Sequence, residues 1–243
     1  MQPDPHHLDV AGRRIACRKR AGDLPTVLFL PGYASDMDGN KAVAIDAFAE
    51  RMGIAMVRFD YSGTGLSDGA FDDGTLDRWL DEALAVIDQL TEGPVVLIGS
   101  SMGGWIALHL ALRRPERVQA LVGIAAAPDF TEWGFSDQAR AMLRGDGEAR
   151  ASDDDFRPTR AFWESGQRMR LLEAEIAVEC PVRLVHGDQD KDVPATVALR
   201  LLARLRSDDV QLKLIKGGGH RLSERHEIEA ILRSIAELLE TRR

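Results

Sequence analysis

The chain has 243 residues, of which 44% are hydrophobic and 29% charged, ordinary values for a globular protein long enough to bury a sizeable core. A formal net charge of −8, with Lys and Arg scattered along the chain, argues against a nucleic-acid partner, which needs a concentrated positive face. No apolar run reaches the roughly 18 residues that would cross a bilayer, so no membrane span is expected.

The first twenty residues lack the apolar core of a secretory signal, and Asp4 and Asp9 argue against a transit peptide despite Arg13, Arg14, Arg18, Lys19 and Arg20. A cytoplasmic location is expected. Residues 8–20 hold two short strand-like pieces around Ala11-Gly12, which reads as a β-hairpin at the edge of a sheet. Cys17 and Cys180 are the two cysteines; with no paired spacing they suit buried structural thiols rather than a disulfide framework or a zinc site. Residues 26–30 are an apolar run of strand length stopped by Pro31-Gly32, as in a buried parallel strand. Val43, Ile45, Ala47, Phe48 and Met52 fit a helix with Gly53 as a left-handed cap, and residues 54–59 make the next strand. That strand runs into a glycine-rich loop, residues 60–69. Its Gly63-x-Gly65 lacks the third glycine and the Gly-Lys-Ser/Thr of a phosphate cradle, so nucleotide binding is not expected.

Leu76, Trp79, Leu80, Ala83, Leu84 and Ile87 form one apolar helical stripe, which puts Trp79 in the core. After Gly93-Pro94, residues 95–98 form a strand that stops at Gly99-Ser100-Ser101-Met102-Gly103, and a helix follows at once, ending near Arg114 before Pro115. Residues 118–127 supply a further strand. From 129 to 178 the aromatic and Met residues Trp133, Phe135, Met142, Phe156, Phe162 and Trp163 are spread among Arg, Asp and Gly without a strand-length apolar run, which reads as an insertion. Strand returns at 181–187, helix at 195–205, strand at 210–215, and a closing helix runs over 223–239 with Ser223 as its cap. Strands alternating with helices imply a largely parallel sheet covered on both faces.

In such sheets functional residues gather at the carboxyl ends of strands. Ser101, Tyr33, the cluster Asp188, Asp190 and Asp192, and His220 each follow a strand. Gly-x-Ser-x-Gly alone is a weak signal, and the strand before it and helix after it give it weight. A serine hydroxyl needs a base within hydrogen-bond reach, and that base needs a carboxylate to hold its tautomer. His220, preceded by Gly217-Gly218-Gly219, is the candidate base; His109 and His226 fall within helices, His6 and His7 near the start, and His186 suits the shaping of its own loop. Asp190 is the first choice for the acid and Asp188 the runner-up, with Asp192 serving near the start of the following helix. Two donors must face the oxyanion: the Met102 N–H, by construction of the elbow, and the Tyr33 N–H, with Ala34 N–H as the fallback. No metal or organic cofactor is expected.

With these residues in place the chain resembles the α/β-hydrolase superfamily over its whole length. Within it, the chain is similar to the mitochondrial palmitoyl-protein thioesterases that are also known as mycophenolic acid acyl-glucuronide esterases. Leu30-Pro31-Gly32-Tyr33, Ser35-Asp36-Met37, Lys41-Ala42, Arg58-Phe59-Asp60-Tyr61-Ser62-Gly63, Gly99 to Trp105, residues 184–194 and His220-Arg221 carry the likeness. The resemblance implies an α/β-hydrolase fold over residues 1–243, within which the inserted segment 129–178 is expected, on its composition, to form a small cap. It also implies Ser101, Asp190 and His220 as a triad, and an acyl thioester or carboxylic ester, on a small molecule or an acylated partner, as substrate. The cap aromatics are candidates to line an acyl pocket. Alternatives on the same residues are an acyltransferase, a carbon–carbon bond hydrolase or a catalytically silent binding protein; the oligomeric state stays open.

Overall fold

The computed structural model describes residues 3–145 and 158–240. Strands β1 (His6–Val10) and β2 (Arg13–Arg20) form the expected hairpin. Ala11 and Gly12 between them have φ of 52° and 77°, the left-handed pair that lets a two-residue turn follow the twist of its strands. β2 pairs antiparallel with β4 (Ile54–Phe59). From there the pairings are parallel: β4 with β3 (Asp23–Leu30), β3 with β5 (Val95–Ser100), β5 with β6 (Val118–Ile124), β6 with β7 (Val182–Gly187) and β7 with β8 (Val210–Ile215). Among the described residues this gives an eight-stranded sheet in the order β1-β2-β4-β3-β5-β6-β7-β8, with the hairpin at one edge.

Side chains alternate across the strands. Leu28 and Leu30 enter the apolar cluster on one face, Val27 and Phe29 the cluster on the other. Helices α1 (Asn40–Met52) and α8 (Arg225–Glu240) complete the second cluster through Ile45 and Ile235; α2 (Leu76–Leu90), α3 (Met102–Arg113) and α7 (Ala195–Arg204) complete the first through Trp79, Ile106 and Leu201. Thr75 starts α2, its hydroxyl accepting the Arg78 N–H, and Gly53 ends α1 with a φ of 69°. Ile106, Leu108 and Leu110 of α3 are all at 0% exposure, and burying each stabilises the fold by about 1.5–3 kcal/mol. This packing has a topological consequence. Because α1 leaves β3 for one face and α3 leaves the neighbouring β5 for the other, the two loops diverge and open a crevice at the carboxyl ends of the strands.

Between β6 and β7 the described chain is helical: α4 (Phe130–Trp133), α5 (Asp137–Arg144) and α6 (Arg160–Arg168). Ser136 and Thr159 cap α5 and α6 by accepting the N–H groups of Ala139 and Phe162, each cap contributing roughly 1 kcal/mol. Phe156 and its neighbours in the 129–178 segment lie outside the described residues.

β3 begins at Asp23, three residues before the expected start, and two further boundaries differ from the sequence expectation for a local reason. β6 ends at Ile124, not 127, because Ala125 turns to a φ of 44° and the chain crosses toward Ser101, whose carbonyl accepts the Ala127 N–H at 3.1 Å. Ser223 does not cap the last helix. α8 begins at Arg225, and the Glu227 carboxylate reaches back to the Glu224 N–H at 2.8 Å, taking the capping role.

Candidate active site

Ser101 stands between β5 and α3 with φ 54° and ψ −117°, a strained conformation for a residue with a β-carbon. The surroundings hold it there. Its N–H donates to the Ile124 carbonyl at 2.9 Å, and its own carbonyl accepts from Gly104 and Ala127. A β-carbon at Gly99 would collide with the Gly103 carbonyl, and one at Gly103 with the Leu30 carbonyl, so the sharp turn from strand to helix requires both glycines. The loop after β3 closes in from the other side: a β-carbon at Gly32 would lie 3.3 Å from the Ser100 carbonyl oxygen and 3.4 Å from the Ser101 β-carbon.

His220 reaches this turn from the loop after β8. Its Nε2 lies 3.0 Å from Ser101 Oγ, and its Nδ1 2.9 Å from Asp190 Oδ2. The Asp190 side chain is fully buried, while 23% of the imidazole is exposed. An ionised carboxylate only accepts, so Nδ1 carries the proton in the neutral ring and Nε2 presents its lone pair to the serine hydroxyl. Asp190 Oδ1 accepts the Asp192 and Val193 N–H groups at 2.9 and 2.8 Å. Burial pushes this carboxyl up, but hydrogen bonds from His186, His220 and the Val193 N–H outweigh burial and hold it below the usual carboxylate range.

The structure separates the other candidates by what their side chains touch. Asp188 turns the other way, its Oδ1 accepting the Gly217 N–H at 2.6 Å, so it ties down the glycine run before His220 instead of meeting the imidazole. Asp192 is exposed and does not cap α7, whose N-cap position is Pro194. His109 is bound at Nε2 to the Met169 carbonyl, 2.9 Å away. His226 lies exposed in α8, and His6 and His7 in β1 at the sheet edge. Met102 is the first residue of α3, a position whose N–H has no acceptor within its own helix. Tyr33 follows Gly32 at the crevice, within a turn closed by the Ser35 N–H on the Gly32 carbonyl; Ala34 beside it has a φ of 53°. Asp190, Asp192 and His220 bring three ligand-type atoms within 4.8 Å of one another, but the oxygens of Asp190 are already taken by the imidazole and the two N–H groups.

The glycine-rich loop has a structural use. Asp60, buried at the end of β4, accepts the Met37 and Leu66 N–H groups at 2.7 and 2.8 Å, and a β-carbon at Gly65 would run into its carboxylate. Trp79 is 1% exposed and donates to the Ser62 carbonyl at 3.0 Å. One residue went unnoticed in the sequence. Asp129 is buried, has a φ of 59°, and accepts the N–H groups of both Leu171 and Leu172 at 2.8 Å, pinning together the two ends of the 129–178 segment. Burial raises its carboxyl pKa, against those two hydrogen bonds. Above the crevice, Tyr33 packs edge-on against Phe71 and Phe162, with ring centroids 5.0 and 4.9 Å away, and Phe130 lies 6.3 Å off. Burial, with Asp72 adding to it, pushes the Tyr33 phenol up to about 12.

An elbow serine at a strand-to-helix turn, with a histidine and a carboxylate from later strands brought onto it, is the arrangement of α/β hydrolases. A family model described as alpha/beta hydrolase fold matches residues 25–181, and the chain belongs to that family and is a hydrolase. Among its relatives is the mitochondrial palmitoyl-protein thioesterase ABHD10 of Mus musculus, 38% identical over 234 residues that make up 93% of this chain and 79% of that one. The Homo sapiens protein of the same name is 37% identical over 235 residues, 93% of this chain and 76% of that one. The solved structure of alpha/beta hydrolase domain-containing protein 10 from mouse matches with a TM-score of 0.92 at 36% identity, covering 98% of this chain and 99% of that one. Among the described residues, no helix is long and apolar enough to cross a membrane.

Proposed function

We propose that the chain is a serine thioesterase or esterase that cleaves acyl thioesters or carboxylic esters through an acyl-enzyme on Ser101. The observation that carries the proposal is the continuous path from Ser101 Oγ through His220 to the buried Asp190. Ser101 attacks the acyl carbonyl while His220 Nε2 takes its proton, and Asp190 stabilises the imidazolium that results. The Met102 and Tyr33 N–H groups donate to the oxyanion. The closeness of Gly32 to Ser101 supports Tyr33 in that role, and the helix-start position supports Met102. His220 then protonates the departing thiolate or alkoxide, and water, deprotonated by the same imidazole, releases the acid.

Residues 1–243 act in this proposal as a single domain, with 129–178 a cap whose Phe130 and Phe162, together with Tyr33, wall the acyl side and exclude water. Relatives named palmitoyl-protein thioesterase support a thioester of an acylated protein or small molecule as substrate. The cytoplasmic location belongs to the proposal as well, and the name of those relatives includes the word mitochondrial. The test is labelling with a fluorophosphonate, mapping of the adduct to Ser101, and a chain-length series of thioesters and esters. Ser101→Ala is expected to lower turnover by about 10³-fold or more. A purified Ser101→Ala protein that keeps its activity would overturn the mechanism.

A further inference from the structure

His186 is the penultimate residue of β7, four residues ahead of Asp190, and is 1% exposed. An imidazole taken out of water costs free energy unless its N–H finds an acceptor. Here Nε2 lies 2.9 Å from the Val193 carbonyl. That carbonyl can only accept, so Nε2 carries the proton. The same nitrogen is 3.4 Å from Asp190 Oδ2, the oxygen that also receives His220 Nδ1. One buried N–H thus donates to the main chain on the far side of the turn while standing beside the carboxylate that holds the candidate base.

The rest of the turn is fixed on its other sides. Asp188 donates its N–H to the Ile215 carbonyl and accepts the Gly217 N–H, Gln189 donates to the Gly218 carbonyl at 2.9 Å, and a β-carbon at Gly187 would strike that same carbonyl. These contacts join the loops after β7 and β8. The span 190–193 is closed from within, by Asp190 Oδ1 on the Asp192 and Val193 N–H groups and by His186 on the Val193 carbonyl. The main chain of Val193 is thus gripped at both its N–H and its C=O, by the acid and by His186 respectively.

We propose that His186 is a positioning residue for the reaction: its Nε2–H sets the place of the Asp190 carboxylate, and through it the His220 imidazole, against Ser101. The inference rests on Ser101, His220 and Asp190 being the catalytic residues. It separates His186 from a space-filling role, because the action depends on a donor at the Nε2 position and not on the bulk of the ring.

The experiment compares His186→Gln, whose amide nitrogen reaches the Nε2 position, with His186→Asn, whose amide stops short of it, and with the apolar His186→Phe. Rates on a short activated ester are divided by the number of sites that take up fluorophosphonate at completion, which removes unfolded protein from the comparison. His186→Asn and His186→Phe are expected to lose roughly 10- to 100-fold in kcat, as for an ångström-scale misplacement of a catalytic group, with KM held within about twofold; His186→Gln is expected to keep kcat within about threefold of the parent. If the Phe variant does not fold, the Gln and Asn pair decides. A kcat in His186→Asn equal to that of the parent overturns the proposal, and so does a His186→Gln protein as slow as His186→Asn. Ser101→Ala is assayed alongside: activity there would sink the catalytic assignment itself, whereas a silent Ser101→Ala with an unimpaired His186→Asn would sink the role of His186 alone.

Discussion

Replacing Asp190 by Asn tests the proposed mechanism most sharply, because the structure leaves the amide no comfortable orientation. The side chain is fully buried, with two N–H groups on Oδ1 and the His220 Nδ1–H on Oδ2. An amide has one oxygen and one NH₂. Turning the NH₂ toward Oδ1's partners sets it against both the Asp192 and Val193 N–H groups. Turning it toward His220 sets it against the Nδ1–H and beside the His186 Nε2–H at 3.4 Å; His220 escapes that conflict by moving its proton from Nδ1 to Nε2, and His186 keeps the Val193 carbonyl as its acceptor. The second orientation therefore wins, and Nε2 then points a hydrogen at Ser101 Oγ instead of a lone pair. The enzyme keeps its geometry in the wrong tautomer, for which the expected loss in kcat is about 10⁴-fold, equivalent to about 5.4 kcal/mol of transition-state stabilisation. Removing the buried charge partner costs about 1–3 kcal/mol of stability, so the protein stays folded if its total lies in the usual range of about 5–15 kcal/mol. The assay is steady-state hydrolysis of a short thioester and its oxygen ester, normalised to folded protein by circular dichroism. An Asp190→Asn enzyme within tenfold of the parent would refute the reasoning, whereas Asp188→Asn should leave kcat much closer to the parent.

Two other outcomes follow from the same contacts. The hydrogen bonds that outweigh burial keep Asp190 below the usual carboxylate range in the folded protein, so its contribution to stability is full above the unfolded value of about 3.9 and is lost only as pH falls further, through the lower folded value; Asp190 should then take up no proton from pH 4 upward in the folded enzyme, and a carboxyl signal of Asp190 titrating above pH 4 in a ¹³C NMR pH series would contradict this. Asp129→Ala leaves the buried Leu172 N–H and the half-buried Leu171 N–H without their acceptor, which costs about 2–4 kcal/mol, and should speed hydrogen exchange and proteolysis between α6 and β7 well before global unfolding; unchanged exchange at 171 and 172 would show that the tether is not needed.

How much of this was readable from residues alone depends on the range of the interaction that fixes each feature. The elbow was readable because a strand, a positive-φ serine and a helix start lie within ten residues, and because Gly99 and Gly103 are demanded by backbone that passes close by. The hairpin and the helix cap at Gly53 are local in the same sense. The choice between Asp188 and Asp190 was harder. Both sit in one turn, and what separates them is that Asp190 accepts N–H groups two and three residues ahead, the usual Asx-turn habit, while Asp188 accepts one from the β8 loop. Nothing in Ala125-Ala126-Ala127 announces the φ of 44° that ends β6, since alanine has no preference for it.

The segment between β6 and β7 was the least readable, for a reason that bears on what the enzyme accepts. Its polar ties are single long-range bonds: the Met169 carbonyl to Trp105 and His109 and Ser165 to the Asp77 N–H hold it to the body, and Asp129 to Leu171 and Leu172 holds its two ends together. Such bonds leave no periodicity for a sequence to display. The aromatic wall beside the crevice is of the same kind, drawing Tyr33 from the loop after β3, Phe71 from a short 3-10 turn, Trp79 from α2, Phe130 from α4 and Phe162 from α6. Bond-making chemistry needs a few groups at hydrogen-bond distance, and rigid turns that are local in sequence can deliver each of them. In the proposed enzyme the acyl side is walled by rings from five separate elements, so exchanging one of them, Phe162 for example, should alter the preferred chain length while the Ser101–His220–Asp190 contacts stay as they are; an unchanged chain-length preference would show that these rings only pack the body.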